Sequence, residues 1–380
     1  MYSADETIRF VLPHELRRMW PSAVTPSTAE LPSLAEIRTA TDAAILQLLD
    51  RKRPQLQAVG LAEHEQVVRD CLLNERGKRM RAAFCYWGWR GAGGTGRAET
   101  VYGVAAALEI VHSAFLIQDD IIDRSELRRG RPTVHRHFAA LHTALAWQGA
   151  AEPYGDSTAL VVGDLCLAWG SELLAQSTPA AVRQQIQDVY DHMCQDTCLG
   201  EMLEVQVQAD RLYEPDRCRA VTVHKTGRYV FSPALLAGAA LADAPPAVCD
   251  AYREFGDALG EAYQFRDDLC VFGVPEMTGK SNMDDLRDGK PTVLFATALE
   301  AASPAQRDRL LALYGRPGLD EAGADEVRRL LHETEAPRRI EDKIRALGLR
   351  ATRALDAAPI TPAARSALEA FASYVLSRSR

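Results

Sequence analysis

Residues 101–123 read VYGVAAALEIVHSAFLIQDDIID, and this stretch decides the architecture. Its apolar residues recur three and four apart, without the two-residue alternation of a strand, which specifies a buried helix. Glu109 and His112 interrupt the run and two aspartates end it, so it reads as a core helix and not as a membrane span. The acids carry the chemical information. Asp119 and Asp123 lie four apart and project from one helix face. At a helix C-terminus two such carboxylates repel each other and oppose the macrodipole, which is costly unless cations offset it. Magnesium accepts oxygen ligands and is usually held by one or two carboxylates together with substrate phosphates. A solvated acidic helix end is the plainer reading, but it leaves unexplained why the acids follow a long apolar run directly.

The helical period continues on both sides. It is clear in LAEIRTATDAAILQLLDRKR (34–53), in VRQQIQDVYDHMCQDTCLGEMLEVQVQ (182–208) and in CDAYREFGDALGEAYQFRDDL (249–269). The breaks between such segments are short, and none is a linker long enough to divide the chain. A length of 380 residues would allow two or three domains, but the pattern specifies one large all-α domain over 34–380. Residues 1–33, with Pro13, Pro21, Pro26 and Pro32, read as an irregular N-terminal extension. Asp5, Glu6 and Arg9 interrupt the opening residues before a secretory apolar region can form. Eight cysteines are scattered without a zinc-binding spacing, and Cys194 and Cys198 read as ordinary thiols sharing a helix face. A reducing, cytoplasmic setting is expected.

Charge narrows the function. Acidic residues outnumber basic ones by 52 to 44, for a net charge of −8, which argues against a nucleic-acid binder. An anionic substrate would need metal ions or local basic clusters. Arg128-Arg129-Gly130-Arg131-Pro132 follows the acids closely, and Gly77-Lys78-Arg79-Met80-Arg81 precedes an apolar segment. Each alone would be an ordinary solvated patch. Arginine forks and lysine point charges are nonetheless the usual holders of phosphate oxygens. A second acidic pair, Asp267-Asp268, is followed by Lys280, Asp284, Asp285 and Lys290, and Lys225-Thr226 adds a further phosphate-binding candidate.

In this order the motifs resemble the trans (all-E) isoprenyl diphosphate synthases, the family of farnesyl and geranylgeranyl diphosphate synthases. LEIVHSAFLIQDDIIDRSELRRGRPTVH (108–135) is similar to the family's first aspartate-rich region, RGKRMR (76–81) to its GGKRxR element, and YQFRDD with GKSNMDDLRDGKPTVL to its second aspartate-rich region. The resemblance implies an all-α bundle of the isoprenoid synthase type, a homodimer, and magnesium on Asp119, Asp120, Asp123 and Asp267. It further implies that Arg128, Lys225, Gln264 and Lys280 contact an allylic diphosphate, that Lys78, Arg81, His112 and Arg129 hold isopentenyl diphosphate, and that Thr226 lies beside the reacting carbons.

Two positions depart from the pattern. Arg76 replaces the first glycine of GGKRxR, and Val271 stands where the second aspartate region would end in a carboxylate. Activity is expected to survive both. Product length is expected to depend on Ala114, five before the first aspartate, and on Phe115, four before it. The small Ala114 leaves space for a twenty-carbon geranylgeranyl product, while Phe115 restores part of a block, so a farnesyl product is the alternative. A class I terpene cyclase is a further alternative, disfavoured by basic clusters sufficient for two diphosphates. A non-catalytic partner subunit of a heteromeric synthase is disfavoured by the intact first aspartate set. Because Asp119→Asn removes carboxylate repulsion, it is expected to leave stability unchanged or raised.

Overall fold

The computed structural model describes residues 31–74, 77–96, 98–272 and 283–377. Lys280, Arg76 and residues 1–30 of the expected extension lie outside the described residues. The first helix, α1, spans Leu34–Ala58 and starts on a reciprocal cap: Ser33 Oγ accepts from the Glu36 amide while Glu36 Oε2 accepts from the Ser33 amide. Helices α2 (Ala62–Leu72), α3 (Met80–Gly91) and α4 (Glu99–Ile122) follow. A two-residue pairing of β1 (Leu127–Arg128) with β2 (Arg131–Pro132) is the only sheet among the described residues. Then come α5 (Val134–Ala144), α6 (Ala151–Ser177), α7 (Arg183–Asp210) and α8 (Pro215–Val221). The chain continues through α9 (Ser232–Leu241), α10 (Pro246–Asp268), α11 (Asp284–Asp288) and α12 (Val293–Ala301). It ends with α13 (Pro304–Leu313), α14 (Glu321–Glu333), α15 (Ala336–Asp356) and α16 (Pro362–Ser377).

The quoted stretch forms α4, the central helix. Its apolar residues Val104 to Leu108, Ile110, Val111 and Ile117 are almost wholly buried. The most extensive packing in the molecule is α4 against α6, followed by α3 against α9 and α5 against α6. By length and apolarity α4 and α6 could each cross a membrane, but 72% of the apolar stretch of α4 is covered by the bundle, as a core helix requires. Only 44% of that of α6 is covered.

Two apolar clusters hold the helices. One gathers α1 to α7, α9, the start of α10, the end of α15 and α16 around Phe84, Trp87, Phe231 and Phe255. The other gathers α8, the end of α10 and α11 to α15 around Phe295, whose ring stacks on Tyr314 with centroids 3.6 Å apart. The cleft described below takes lining residues from both.

The contact of α3 with α9 depends on missing side chains. A Cβ on Gly88 would lie 2.4 Å from the Leu235 carbonyl oxygen, and one on Gly238 would lie 2.1 Å from that of Cys85. Each helix thus presents a glycine to the other's backbone. Gly238→Ala must push these helices apart, and the overpacking should cost about 1–3 kcal/mol, read as a lowered midpoint in urea denaturation.

Candidate active site

A cleft of about 900 Å³ opens at the C-terminal end of α4. Its floor is the acid cluster anticipated from sequence, but the acids are not bare. Arg128 donates from Nε to Asp120 Oδ1 at 2.6 Å and from Nη2 to Asp119 Oδ2 at 2.9 Å. A tight hairpin sets this geometry. Leu127 pairs with Pro132 and Arg128 with Arg131, while Arg129 (φ 55°) and Gly130 (φ 72°) turn the chain with positive φ at both central positions. That is the turn whose twist suits two antiparallel strands. It folds the basic run back over the helix end that precedes it.

Lys225 arrives from another direction. The chain leaves α8 in a π-helical segment, Thr222–Gly227, a widened turn that is rare and frequently marks functional sites. Two glycines hold it at backbone contact. A Cβ on Gly200 of α7 would lie 2.2 Å from the Lys225 amide, and one on Gly260 of α10 would lie 2.2 Å from the Gly227 carbonyl. Gripped in this way, Lys225 Nζ lies 3.0 Å from Asp119, 2.7 Å from Glu201 and 2.9 Å from Glu204. Lys290, just beyond α11, bridges Asp123 and Glu204 at 2.5 Å from each.

The titration of these groups follows from who shares which cation. Burial opposes the charge of Asp119, but Lys225, Lys290 and Arg128 outweigh it and hold its carboxyl well below the usual range. Burial likewise opposes the charge of Glu204, and Lys290 and Lys225 again win, so it too is lowered. Asp123 goes the other way, raised by burial and by the charges of Asp119 and Glu204. Glu201 is pushed up to about 7, chiefly by burial, because its one cation, Lys225, is divided among three carboxylates. Both lysines are raised, since the acids around them outweigh their burial.

Asp119 therefore gains from its neighbours, contrary to the expectation that repulsion dominates at the helix end. Removing its charge breaks pairs with Arg128 and Lys225, which should lower the stability of the isolated protein.

The second pair is split by burial. Thr226 Oγ1 donates to Gln264 Oε1 at 2.9 Å, and Gln264 Nε2 donates to Asp268 Oδ1 at 2.9 Å. Asp268 is buried, its carboxyl raised well above its usual range by desolvation, while Asp267 is half-buried; both line the cleft. Val271, at the position lacking a carboxylate, is buried in the second apolar cluster and also reaches the cleft.

Lys78, Arg81, His112 and Arg129 also line the cleft. Lys78 Nζ donates to the Tyr374 hydroxyl of α16 at 2.9 Å. Arg81 is buried, and its Nε has no protein acceptor. Arg79 is structural: it donates to Asp42 at 2.7 Å and to the Leu72 carbonyl at 2.6 Å. Glu109 lies 3.7 Å from Arg79 and accepts from the Ala82 amide near the start of α3. Of the sequence-predicted site residues, the cleft gathers Asp119, Asp120, Asp123, Lys225, Thr226, Asp267, Lys78, Arg81, His112, Arg128, Arg129, Gln264 and Phe115. Ala114 is not among its lining; it is fully buried in the helical core, so a larger residue there would overpack the bundle. Glu201, Glu204, Tyr229 and Lys290 complete the site and were not assigned roles from sequence.

Among the described residues, no three metal-ligating side chains converge into a ready-made cage. Magnesium does not require one, since it retains water and takes phosphate oxygens beside one or two carboxylates. Asp119, held ionised and within the reach of cationic side chains, is a suitable donor of that kind. The donor set fits.

A family model described as polyprenyl synthetase matches residues 64–332. The chain belongs to the polyprenyl synthetase family. It is 30% identical to the geranylgeranyl diphosphate synthase of Methanosarcina mazei over 261 residues, 68% of this chain and 72% of that one. It is 28% identical to the nonaprenyl diphosphate synthase of Mycobacterium tuberculosis over 329 residues, 85% of this chain and 90% of that one. A crystal structure of geranylgeranyl pyrophosphate synthase from Corynebacterium glutamicum, complexed with isoprenyl diphosphate and magnesium, superimposes with a TM-score of 0.87 at 30% identity. That match covers 92% of this chain and all of the other. This polyprenyl synthetase is accordingly a trans-prenyltransferase with the all-α isoprenoid synthase fold, and its relatives make products of different lengths.

The raised acids give the site a testable pH signature. A carboxyl whose pKa rises on folding stabilises the protein below its unfolded pKa, and that contribution is lost as pH climbs through the folded value. For Glu201 the window runs from 4.5 to about 7, and for Asp288, raised by burial and by Asp123, from 3.8 to about 6. Because the lowered pKa of His112 acts in the opposite sense, the test is a difference: in thermal denaturation without divalent metal, Glu201→Gln should gain on the order of 2 kcal/mol relative to the wild type between pH 5 and pH 8.

Proposed function

We propose that this polyprenyl synthetase condenses isopentenyl diphosphate with an allylic diphosphate, using magnesium, and that its main product is geranylgeranyl diphosphate. The observation that carries the reading is one cleft lined both by the shared acids and cations and by a further set of basic residues, Lys78, Arg81, His112 and Arg129. Two basic groups suit two diphosphates, whereas a cyclase needs only one.

Asp119, Asp120, Asp123 and Asp267 would hold magnesium, which when bound supplies charge neutralisation for a departing diphosphate. Arg128, Lys225 and Gln264 would grip the allylic diphosphate, with Lys280 reserved for the same role outside the described residues. The allylic C–O bond breaks and its electron pair leaves with the diphosphate. The double bond of isopentenyl diphosphate, held by Lys78, Arg81, His112 and Arg129, attacks the allylic cation. A proton is then lost from the adjacent carbon to the released diphosphate. Thr226, its hydroxyl fixed on Gln264, would face the reacting carbons. The apolar helices of the bundle keep water from the cation.

The eight free cysteines suit a reducing cytoplasm. A second copy of the chain suits the exposed apolar face of α6 and α7, where Leu160, Val161, Leu199, Met202 and Val205 meet solvent.

Asp119→Asn should reduce prenyl transfer by about a hundredfold or more, and chelation of divalent metal should abolish it, both read as released diphosphate. A folded variant with full activity would remove Asp119 from the metal site. Product length is read by chromatography of the prenyl chain. Phe115 lines the cleft four residues before Asp119, so Phe115→Ala should shift the product from twenty to twenty-five or more carbons; an unchanged product would exclude α4 as the floor of the tunnel.

A further inference from the structure

Tyr229 lies one turn beyond Lys225, on the helical turn Arg228–Val230 that follows the π segment. It is buried yet lines the cleft, and three cleft residues meet on it. Its hydroxyl is 2.8 Å from His112 Nδ1. The Arg81 guanidinium sits over its ring, 4.2 Å from the centroid. Phe115 meets the same ring edge-on, with centroids 5.7 Å apart. His112 and Phe115 are three apart on α4, so a single tyrosine covers one turn of the wall where two substrates would meet.

The chemistry of the pair is directional. Burial, and then Arg81, Arg129, Arg128 and Arg79, hold the His112 imidazole well below its usual range, so the ring is neutral. A neutral imidazole carries one N–H, and the bond made by one nitrogen decides where that proton sits. Burial raises Tyr229, which keeps its hydroxyl proton and can donate it to Nδ1. Nε2 is then the protonated nitrogen, a donor. A diphosphate offers only acceptors, so this is the tautomer it requires. The same ring limits the swing of Arg81, whose Nε is buried without a protein acceptor.

We propose that Tyr229 is the positioning residue of the isopentenyl diphosphate site, fixing His112 as an Nε2–H donor and Arg81 over its ring, and that through Phe115 it also sets product length. This deepens the functional reading above and rests on it. One residue then couples the hold on the extending unit to the floor beneath the growing chain.

The test uses Tyr229→Phe and Tyr229→Leu in the full chain, each with its fold checked by thermal melting. Binding of isopentenyl diphosphate alone, measured by calorimetry, needs no turnover; if the wild-type protein fails to bind it, the functional reading falls and not this inference. Tyr229→Phe keeps the ring and loses only the hydroxyl. It should weaken binding of isopentenyl diphosphate and raise its KM about tenfold, while leaving the KM of the allylic diphosphate and the product length unchanged. In a His112→Ala background the hydroxyl has nothing to orient, so adding Tyr229→Phe should cause no further loss. Tyr229→Leu should also lengthen the product by at least one five-carbon unit. Equal rises in both KM values, no rise in either, or additive losses with His112→Ala would overturn the positioning role. An unchanged product from a folded Tyr229→Leu would overturn the link to Phe115.

Discussion

The cleft depends on one electrostatic constraint, the sharing of a few cations among too many carboxylates. Asp119, Asp120 and Asp123 close α4 where the helix dipole is least hospitable to negative charge. Glu201 and Glu204 face them from α7. Lys225, Lys290 and Arg128 are distributed over all five, and every one of these cations touches at least two acids. Removing any one partner from such a buried network leaves a charge uncompensated, which costs far more than a surface pair would. The network is therefore rigid about position but short of positive charge. Glu201 records the shortage, because it is the acid whose pKa burial lifts to about 7 beside a lysine.

Much of the architecture serves to deliver those three cations. Arg128 needs a hairpin with two successive positive φ values. Lys225 needs a widened helical turn, held by close approach of Gly200 and Gly260. Lys290 needs the start of the second apolar cluster, where the Tyr314 hydroxyl donates to its carbonyl at 2.5 Å and so anchors the backbone that carries it. Each delivery comes from a different part of the chain, and they meet only because α4, α7 and α10 pack around a common cleft.

The sequence was most legible where one helix carries both period and chemistry. The run from Val101 to Asp123 discloses its burial by spacing, and the acids that end it line the cleft. Glu201 and Glu204 escaped because a glutamate in a half-exposed helix normally faces water. The signal was the neighbouring Gly200, whose missing side chain lets the π segment press against α7. Tyr229 escaped for a different reason: its partners His112, Phe115 and Arg81 are remote in sequence, and only tertiary contact joins them. Ala114 was placed beside the tunnel by its offset from Asp119, yet a helix turns about 100° per residue. That single step puts Phe115 on the cleft and Ala114 in the core.

Several local rules are broken at the cleft, although left-handed residues such as Ala146 and Glu335 also occur away from it. Arg79 and Arg129 adopt the left-handed conformation that arginine ordinarily avoids, and both line the cleft. The π segment forfeits regular helical hydrogen bonding, and Asp268 is buried with one carboxylate oxygen lacking a protein partner. Each of these costs stability on its own, and none improves the packing of either apolar cluster. Where such departures border the 900 Å³ cleft, the large buried cores of the surrounding bundle can sustain the loss.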